Sequence, residues 1–444
     1  MNSNRAAALN AWEAHYESGQ ETKNGHKPAK PDTPTHDELR DRYLAEHTDY
    51  GYGLGEWRQY GGGIWSAISE TAVKQGVCQV LEDAKFEGVR PTASTVNSVT
   101  ELTRIKAFVP DDEWNADSDI LVCKNGALRI STRELLPHQP EHYATSAVPY
   151  DYNPDAIPVV WNYLLSHTIP AAAAFLQEFA GYSLTTDMSY ETAVWLFGPP
   201  GSGKSTVLAG FQAMLGHRAG LLGLAETERN RFALADLPGK TLVVASEQPS
   251  AYLASTNVLN AIISGEPLQI ERKYRDPVTV LPRCKIAWAM NELPRVADAN
   301  SGLFRRVKVI KFPQIPGEER DPRVKRAIES EGAGILNWAL DGLDRLRKRG
   351  RFEVPEGVEE ATTQFRESND VPALFVAERC IKGPEYEVKA SSLYAEYREW
   401  CLENGHRPQS STTIANDWQR LGFEKRRTSG GNHYQCVGLR LPGE

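Results

Sequence analysis

Apolar and polar positions follow different rhythms along this chain, and the changes of rhythm divide it. Residues 1–45 are polar, with Pro28, Pro31 and Pro34 among mixed charges. That pattern predicts a flexible lead-in over 1–50, carrying at most a short helix at 6–16. From Gly51 the pattern tightens. Trp57, Tyr60 and Trp65 surround Gly61-Gly62-Gly63, a hairpin turn, and residues 68–86 have the spacing of an amphipathic helix. Ile120-Leu121-Val122-Cys123, the turn pair Asn125-Gly126 and Leu128-Arg129-Ile130 predict a second hairpin. Residues 158–182 read as helix. Short, continuous apolar runs then recur at 194–197, 241–245, 285–290 and 307–312, with helix-compatible stretches between them. Strands alternating with helices predict a domain of α/β type. Composition loosens around 352–355. From about Asp370 the rhythm predicts helices at 372–380, 392–404 and 412–421, then two short strands around Ser429-Gly430-Gly431-Asn432.

The expected organisation is therefore a lead-in (1–50), a helical or mixed domain (51–155), an α/β domain (156–350), a linker (351–369) and a terminal module (370–444). Helices followed by a basic hairpin suggest that this module is a winged helix.

Composition narrows the class. Of 444 residues, 41% are hydrophobic and 24% charged, ordinary for a globular protein. No apolar run approaches a membrane-spanning length, and Met1-Asn2-Ser3-Asn4-Arg5 opens no signal-peptide core, so the cytoplasm of a host cell is the expected compartment and a membrane partner is not expected. The six cysteines are scattered with no C-x-x-C pair, which argues against a zinc site or a disulfide framework. A net charge of −8 disfavours whole-surface binding to nucleic acid but leaves room for local basic strips.

The most specific chemistry lies in Gly198-Pro199-Pro200-Gly201-Ser202-Gly203-Lys204-Ser205-Thr206, after the apolar run ending at Phe197. It fits the phosphate-loop pattern G-x-x-x-x-G-K-[ST] between a strand and a helix. The glycines let backbone N–H groups face phosphates, Lys204 reaches the β- and γ-phosphates, and Ser205 joins the shell of a Mg²⁺ ion. ATP with Mg²⁺ is the expected ligand. Glu247 follows the apolar run at 241–245 and is a candidate for polarising the attacking water or holding Mg²⁺. Asn291 ends the run at 285–290, where an amide could sense the γ-phosphate. Arg305 and Arg306 precede the last strand, where one of them could act on a neighbouring subunit's phosphates as an arginine finger.

These four elements, in this order and spacing, resemble the superfamily-three helicases, and within them the poxvirus-type and phage or plasmid primase–helicase branch. Further segments agree: Asn125-Gly126 with Leu136-Pro137, Tyr143-Ala144-Thr145 and Tyr150-Asp151-Tyr152; 176–182 before the phosphate-loop strand; and Arg231-Phe232-Ala233-Leu234 through Gly239-Lys240 before the acidic strand. The resemblance covers roughly residues 55–315. It implies an AAA+-like core with an N-terminal collar, Glu247 as the catalytic acid, Asn291 as the sensor, and Arg305 or Arg306 as a finger acting in trans within a hexameric ring. The chain departs from the pattern at Ser246, where relatives often carry a second carboxylate, and at Asn260-Ala261, where some carry a lysine.

Two basic strips are candidates for nucleic acid. Arg272, Lys273 and Arg275 offer phosphate neutralisation while Tyr274 offers a stacking face, a pairing suited to single strands. The resemblance implies that this region is a hairpin projecting into the ring. The second strip is Lys425, Arg426 and Arg427, with Arg420 and Arg440, on the terminal module. Asp117-Ser118-Asp119 has the spacing of a polymerase carboxylate pair, but too little chain precedes it for such a domain, so these read as turn residues. The expectation is a DNA helicase of a phage, plasmid or mobile element, acting on single-stranded and forked DNA and served by a separate primase or polymerase. The alternatives are an origin-binding or remodelling ATPase that uses ATP as an assembly switch.

Overall fold

The computed structural model describes residues 33–229, 231–248, 252–272, 275–297, 302–429 and 431–440, so the helix expected at 6–16 and the pair Lys273-Tyr274 lie outside the described residues. The chain divides into two compact units, one of residues up to Gln59 with Ala67–Val109, the other of Tyr60–Ser66 with Pro110–Glu444.

In the first unit, helix α1 (His36–Glu46) opens on a capping box, the Thr35 hydroxyl accepting from Glu38 N while Thr35 N donates to the Glu38 carboxylate at 2.8 Å. Strands β1 (Tyr50–Gly53), β2 (Glu56–Gly61) and β3 (Ile64–Ile68) follow, the last two flanking the predicted glycine turn, with Tyr60–Ser66 counted in the second unit. Then come α2 (Glu70–Asp83), capped by Ser69, and α3 (Ala93–Lys106). Leu39 and Tyr43 of α1 are buried with Trp57, Val73, Val77 and Val99. The lead-in reading is thus corrected for residues 36–46. Only Leu39, Tyr43, Leu44 and Ala45 are apolar in this helix, and the first two, one turn apart, do the packing.

The second unit begins its main run with a meander, β4 (Ile120–Cys123), β5 (Gly126–Arg129) and β6 (Glu134–Leu136), paired in that order. Asn125 in the first turn uses both ends of its amide on Tyr152, donating to its carbonyl at 3.0 Å and accepting from its N–H at 2.9 Å. The Tyr150 hydroxyl donates to the carbonyl of Met214. The segments Asn125-Gly126 and Tyr150–Tyr152 are thereby one bonded structure. The expected single helix at 158–182 is two, α4 (Val159–Thr168) and α5 (Ala173–Ser183), bent by 114°. Pro170 supplies the break, because it lacks an N–H and pushes Ile169 to an extended φ of −140°.

Next come β7 (Ala193–Phe197), α6 (Lys204–Leu215), β8 (Ala219–Leu221), α7 (Leu224–Arg229), β9 (Leu242–Gln248), β10 (Tyr252–Leu253) and α8 (Asn257–Ser264). They are followed by β11 (Leu268–Arg272), β12 (Arg275–Val280), β13 (Lys285–Met290), β14 (Arg295–Val296), α9 (Leu303–Arg306) and β15 (Val307–Lys311). The central sheet has the order β15-β7-β13-β9-β8 with every neighbour parallel, and the four apolar runs supply β7, β9, β13 and β15. One face packs against Trp161, Phe175, Phe179 and Phe211, and the other carries Trp195, Trp288, Leu259 and Ile262.

After α10 (Arg323–Glu329) and α11 (Gly332–Arg349), α12 (Glu356–Asn369) occupies most of the expected linker. Ala361 and Phe365 belong to the sheet's second core, and Thr362 Oγ1 accepts from Val309 N at 3.0 Å. The linker reading is corrected: a helix with sparse apolar positions is a core helix when all of them fall on one face. The terminal module holds α13 (Val371–Arg379), β16 (Cys380–Lys389), α14 (Ala390–Glu403), α15 (Ser411–Arg420), β17 (Glu424–Thr428) and β18 (Gly431–Leu439) around Phe375, Tyr397, Trp400 and Trp418. Its sheet has the order β16-β18-β17. Strand β16 was not anticipated. Gly383-Pro384 reads as a turn, and on this edge strand the register shifts between Lys382 and Glu387, where such residues are tolerated. Among the described residues no single helix is long and apolar enough to cross a membrane.

Candidate nucleotide site

The carboxyl ends of β7, β9 and β13 converge on one open cleft, lined by Pro200 through Ser205 with Ser246, Glu247, Ala289 and Asn291. This is where ligands sit in open parallel sheets. The loop 198–203 turns from β7 into α6, and Gly203, at φ 92°, stands at the cap position, a conformation that favours glycine. Gly198 is required for a different reason. A Cβ there would stand 2.5 Å from the Phe312 carbonyl oxygen.

Lys204 is buried. Its Nζ donates to Gly198 O at 2.7 Å, Pro199 O at 2.8 Å and Ser202 Oγ at 3.2 Å. Burial pulls the ammonium below the ordinary lysine value, and the Glu247 carboxylate opposes that shift. A cation held by its own loop, in a cleft bearing a carboxylate and the N-terminus of a twelve-residue helix, fits a nucleoside triphosphate with Mg²⁺. Ser205, Ser246, Glu247 and Asn291 are the exposed oxygen-bearing side chains that line it, and of these Glu247 alone brings a carboxylate. Magnesium needs few protein ligands, since phosphates and waters complete its shell.

Glu247 is placed by an irregularity. The pairing of β9 with β13 slips between Trp288↔Ala245 and Met290↔Gln248, and Glu247 has φ 61°. A left-handed backbone at a residue with a side chain costs about 1–3 kcal/mol, and such strain clusters at functional sites. The slip re-aims one side chain at the end of a strand. Gln248, by contrast, is tied down, its Oε1 accepting from Leu224 N at 2.6 Å.

The two candidate finger residues separate. Arg305 is exposed, whereas Arg306 is buried and donates through Nε and Nη2 to Glu191 Oε2, each at 2.7 Å, and through Nη1 to Gly302 O at 3.2 Å. Glu191, which sequence reading passed over, also accepts from Ser264 Oγ at 3.3 Å, so it joins α9 to the end of α8. No local pattern marks it.

The first basic strip lies on a two-stranded antiparallel hairpin, β11–β12, with Arg272 paired to Arg275 across it. Lys273 and Tyr274, between them, lie outside the described residues. On the terminal module, Lys425, Arg426 and Arg427 are exposed on the edge strand β17. Arg420 leaves the strip. Its guanidinium bonds both Asp370 oxygens at 2.7 and 2.8 Å and Asp417 at 3.0 Å, which fastens α15 to the start of α13. Arg440 also donates, from Nε to Cys380 O at 3.1 Å.

Comparison with known proteins gives a consistent picture. The family described as "D5 N terminal like" matches residues 37–181, and one described as "Family of unknown function (DUF5906)" matches 196–306. The chain is similar to "Putative helicase L207/L206" of Acanthamoeba polyphaga mimivirus, 24% identical over 191 residues, 38% of this chain and 20% of that protein. It is likewise similar to "Putative helicase 121R" of Invertebrate iridescent virus 3, 23% identical over 176 residues, 33% and 19% of the two chains. These matches span about a fifth of each relative's length. Among solved structures, the apo A form of the NrS-1 C-terminal region superposes with a TM-score of 0.51 at 15% identity, covering 90% of this chain and 98% of that one. At that identity the likeness is one of fold.

Proposed function

We propose that this chain, matched in order by the D5 N terminal like model and by DUF5906, is a D5-type, superfamily-three ATP-dependent DNA helicase of a virus, plasmid or other mobile element. The observation that carries the reading is the convergence of Lys204, Glu247 and Asn291 on one cleft at the carboxyl end of a parallel sheet. In this reading the loop amides and Lys204 hold the β- and γ-phosphates, and Ser205 and Glu247 hold Mg²⁺, which would neutralise charge on the leaving phosphates. Glu247 orients and polarises the attacking water. Asn291, one residue beyond β13, holds the γ-phosphate end of the cleft. Arg305 enters from a second copy in a ring, most simply a hexamer, and stabilises charge in the transition state. The β11–β12 hairpin meets single-stranded DNA in the ring, and the terminal module, whose helix and strand order is that of a winged helix, meets duplex or fork through Lys425, Arg426 and Arg427.

The test is ATP-dependent displacement of a labelled strand from a forked duplex, wild type against Glu247→Gln, with both tail polarities. Displacement by the wild type and none by the variant, with DNA binding kept, is the expected result. Hydrolysis without displacement on either fork would move the reading to an ATPase that switches assembly or remodels nucleoprotein.

A further inference from the structure

We infer that Arg320 is a second cation of the nucleotide site, supplied by the same chain and directed at the polyphosphate; this rests on the nucleotide reading above. The chain leaving β15 folds back along the phosphate loop. Phe312 O touches Gly198, as described, and Ile315 Cδ1 lies 3.9 Å from where a Cβ on Gly203 would stand. Arg320 completes the approach. A Cβ on Gly201 would meet its Cζ and Nη1 at 2.6 Å. The guanidinium plane is set by Ile315, whose carbonyl oxygen accepts from Nε at 3.1 Å and from Nη2 at 2.9 Å. Two of its nitrogens are thereby oriented, and Nη1 is turned toward the middle of the phosphate loop. The neighbouring Asp321 is taken by Arg323, with contacts of 2.8 to 3.1 Å. Arg320 itself is exposed, and among the described residues no carboxylate pairs with it.

A guanidinium with one edge fixed and the other open against a loop built for anions suits a phosphate oxygen. Its planar fork keeps its geometry when the second partner arrives. Arg320 thus differs in role from Arg305. It belongs to the subunit that holds the nucleotide, so it acts on binding in every copy, whereas a finger acts on hydrolysis across an interface. Local sequence hides it, because Gly317-Glu318-Glu319-Arg320-Asp321 reads as a solvated charged turn.

The experiment is fluorescence titration of the full chain with mant-ADP in the presence of Mg²⁺, for wild type, Arg320→Ala, Arg320→Gln, Arg320→Lys and Lys204→Ala, with thermal unfolding of each without nucleotide. Loss of one charge-assisted hydrogen bond to phosphate weakens binding about tenfold or more, so Ala and Gln are expected to do so while Lys stays within about threefold of wild type. The Gln variant keeps a donor for Ile315 O but no charge. If Arg320 were only a strut for the 313–322 segment, Gln would bind like wild type and Lys would not. That ordering overturns the inference, as do three Arg320 variants that all bind within about twofold of wild type. Should the Ala variant fail to fold, the Gln and Lys pair still decides. Lys204→Ala binding mant-ADP as tightly as wild type would instead overturn the nucleotide reading itself.

Discussion

Arg305 and Arg306 are adjacent, yet their environments demand opposite responses to removal. Arg306 is 9% exposed and Glu191 43%. Truncating one partner of a fully buried ion pair costs about 3–5 kcal/mol, and because water reaches nearly half of Glu191, about 2–3 kcal/mol is expected for Arg306→Ala. Arg305 is exposed, so Arg305→Ala should change stability by no more than about 0.5 kcal/mol. The stability assay is urea unfolding followed by tryptophan fluorescence. Phe304, next to the pair, packs on Phe365, which packs on the buried Trp195, so loosening of α9 reports there. The functional assay is ATP hydrolysis by the assembled protein, where loss of an arginine finger costs about a thousandfold or more. Arg305→Ala should show that loss with mant-ADP binding intact, and mixing it with Lys204→Ala subunits should restore activity at the hybrid interfaces. An Arg306→Ala protein as stable as wild type, inactive alone and rescued by the same mixing, would refute the assignment and make Arg306 the finger.

Three further outcomes are expected. Glu178 is 2% exposed and bonded to Arg349 at 3.0 to 3.1 Å, with Arg345 at 3.6 Å; Glu178→Ala should cost about 2–4 kcal/mol, since the two arginines regain some water, and a urea midpoint unmoved by the change would contradict the pairing. Lys285 is fully buried, donates to Thr185 O at 2.6 Å, and burial pushes its ammonium from 10.5 down to about 7. Between those two values the unfolded chain holds a proton that the folded chain has released, so stability rises with pH across that window; Lys285→Met should flatten the rise, and an unchanged slope would sink the argument. Replacing Lys425, Arg426 and Arg427 together by alanine should reduce the slope of log affinity for forked DNA against log salt by about 2–3, and an unchanged slope would mean that β17 does not touch phosphate.

The α/β core was legible because its signals are local and redundant. Four continuous apolar runs fix strands β7, β9, β13 and β15, since a strand buried on both faces can tolerate little else, and the phosphate loop at 198–205 dates the sheet's polarity by its own position after β7. Glu247 and Asn291 drew notice as polar residues within two positions of the ends of two of those runs. Elements with little apolar content were missed or misread. Helix α1 carries Leu39 and Tyr43 to its core on an otherwise charged surface, α12 does the same with Val358, Ala361 and Phe365, and β16 hides behind Gly383-Pro384. Each is recognisable only once its neighbour is in place, because two or three apolar side chains among charged ones are too few to set a period.

Charged residues posed a harder problem, since sequence places a charge but not its partner. Arg305, Arg306, Arg320 and Arg420 are alike in type, and all lie near candidate sites along the chain. Arg306 is committed to Glu191, 115 residues away, and Arg420 to Asp370, 50 residues away. Arg320 is held by a backbone carbonyl, which contributes a hydrogen bond but leaves the positive charge uncompensated. An arginine neutralised by a carboxylate is part of the scaffold, and moving it breaks the fold first. An arginine oriented by a neutral acceptor keeps its charge for a ligand. By that criterion Arg306 and Arg420 hold the molecule together. Arg320, one edge fixed and one edge open over Gly201, is the one whose removal should register in nucleotide binding before it registers in stability.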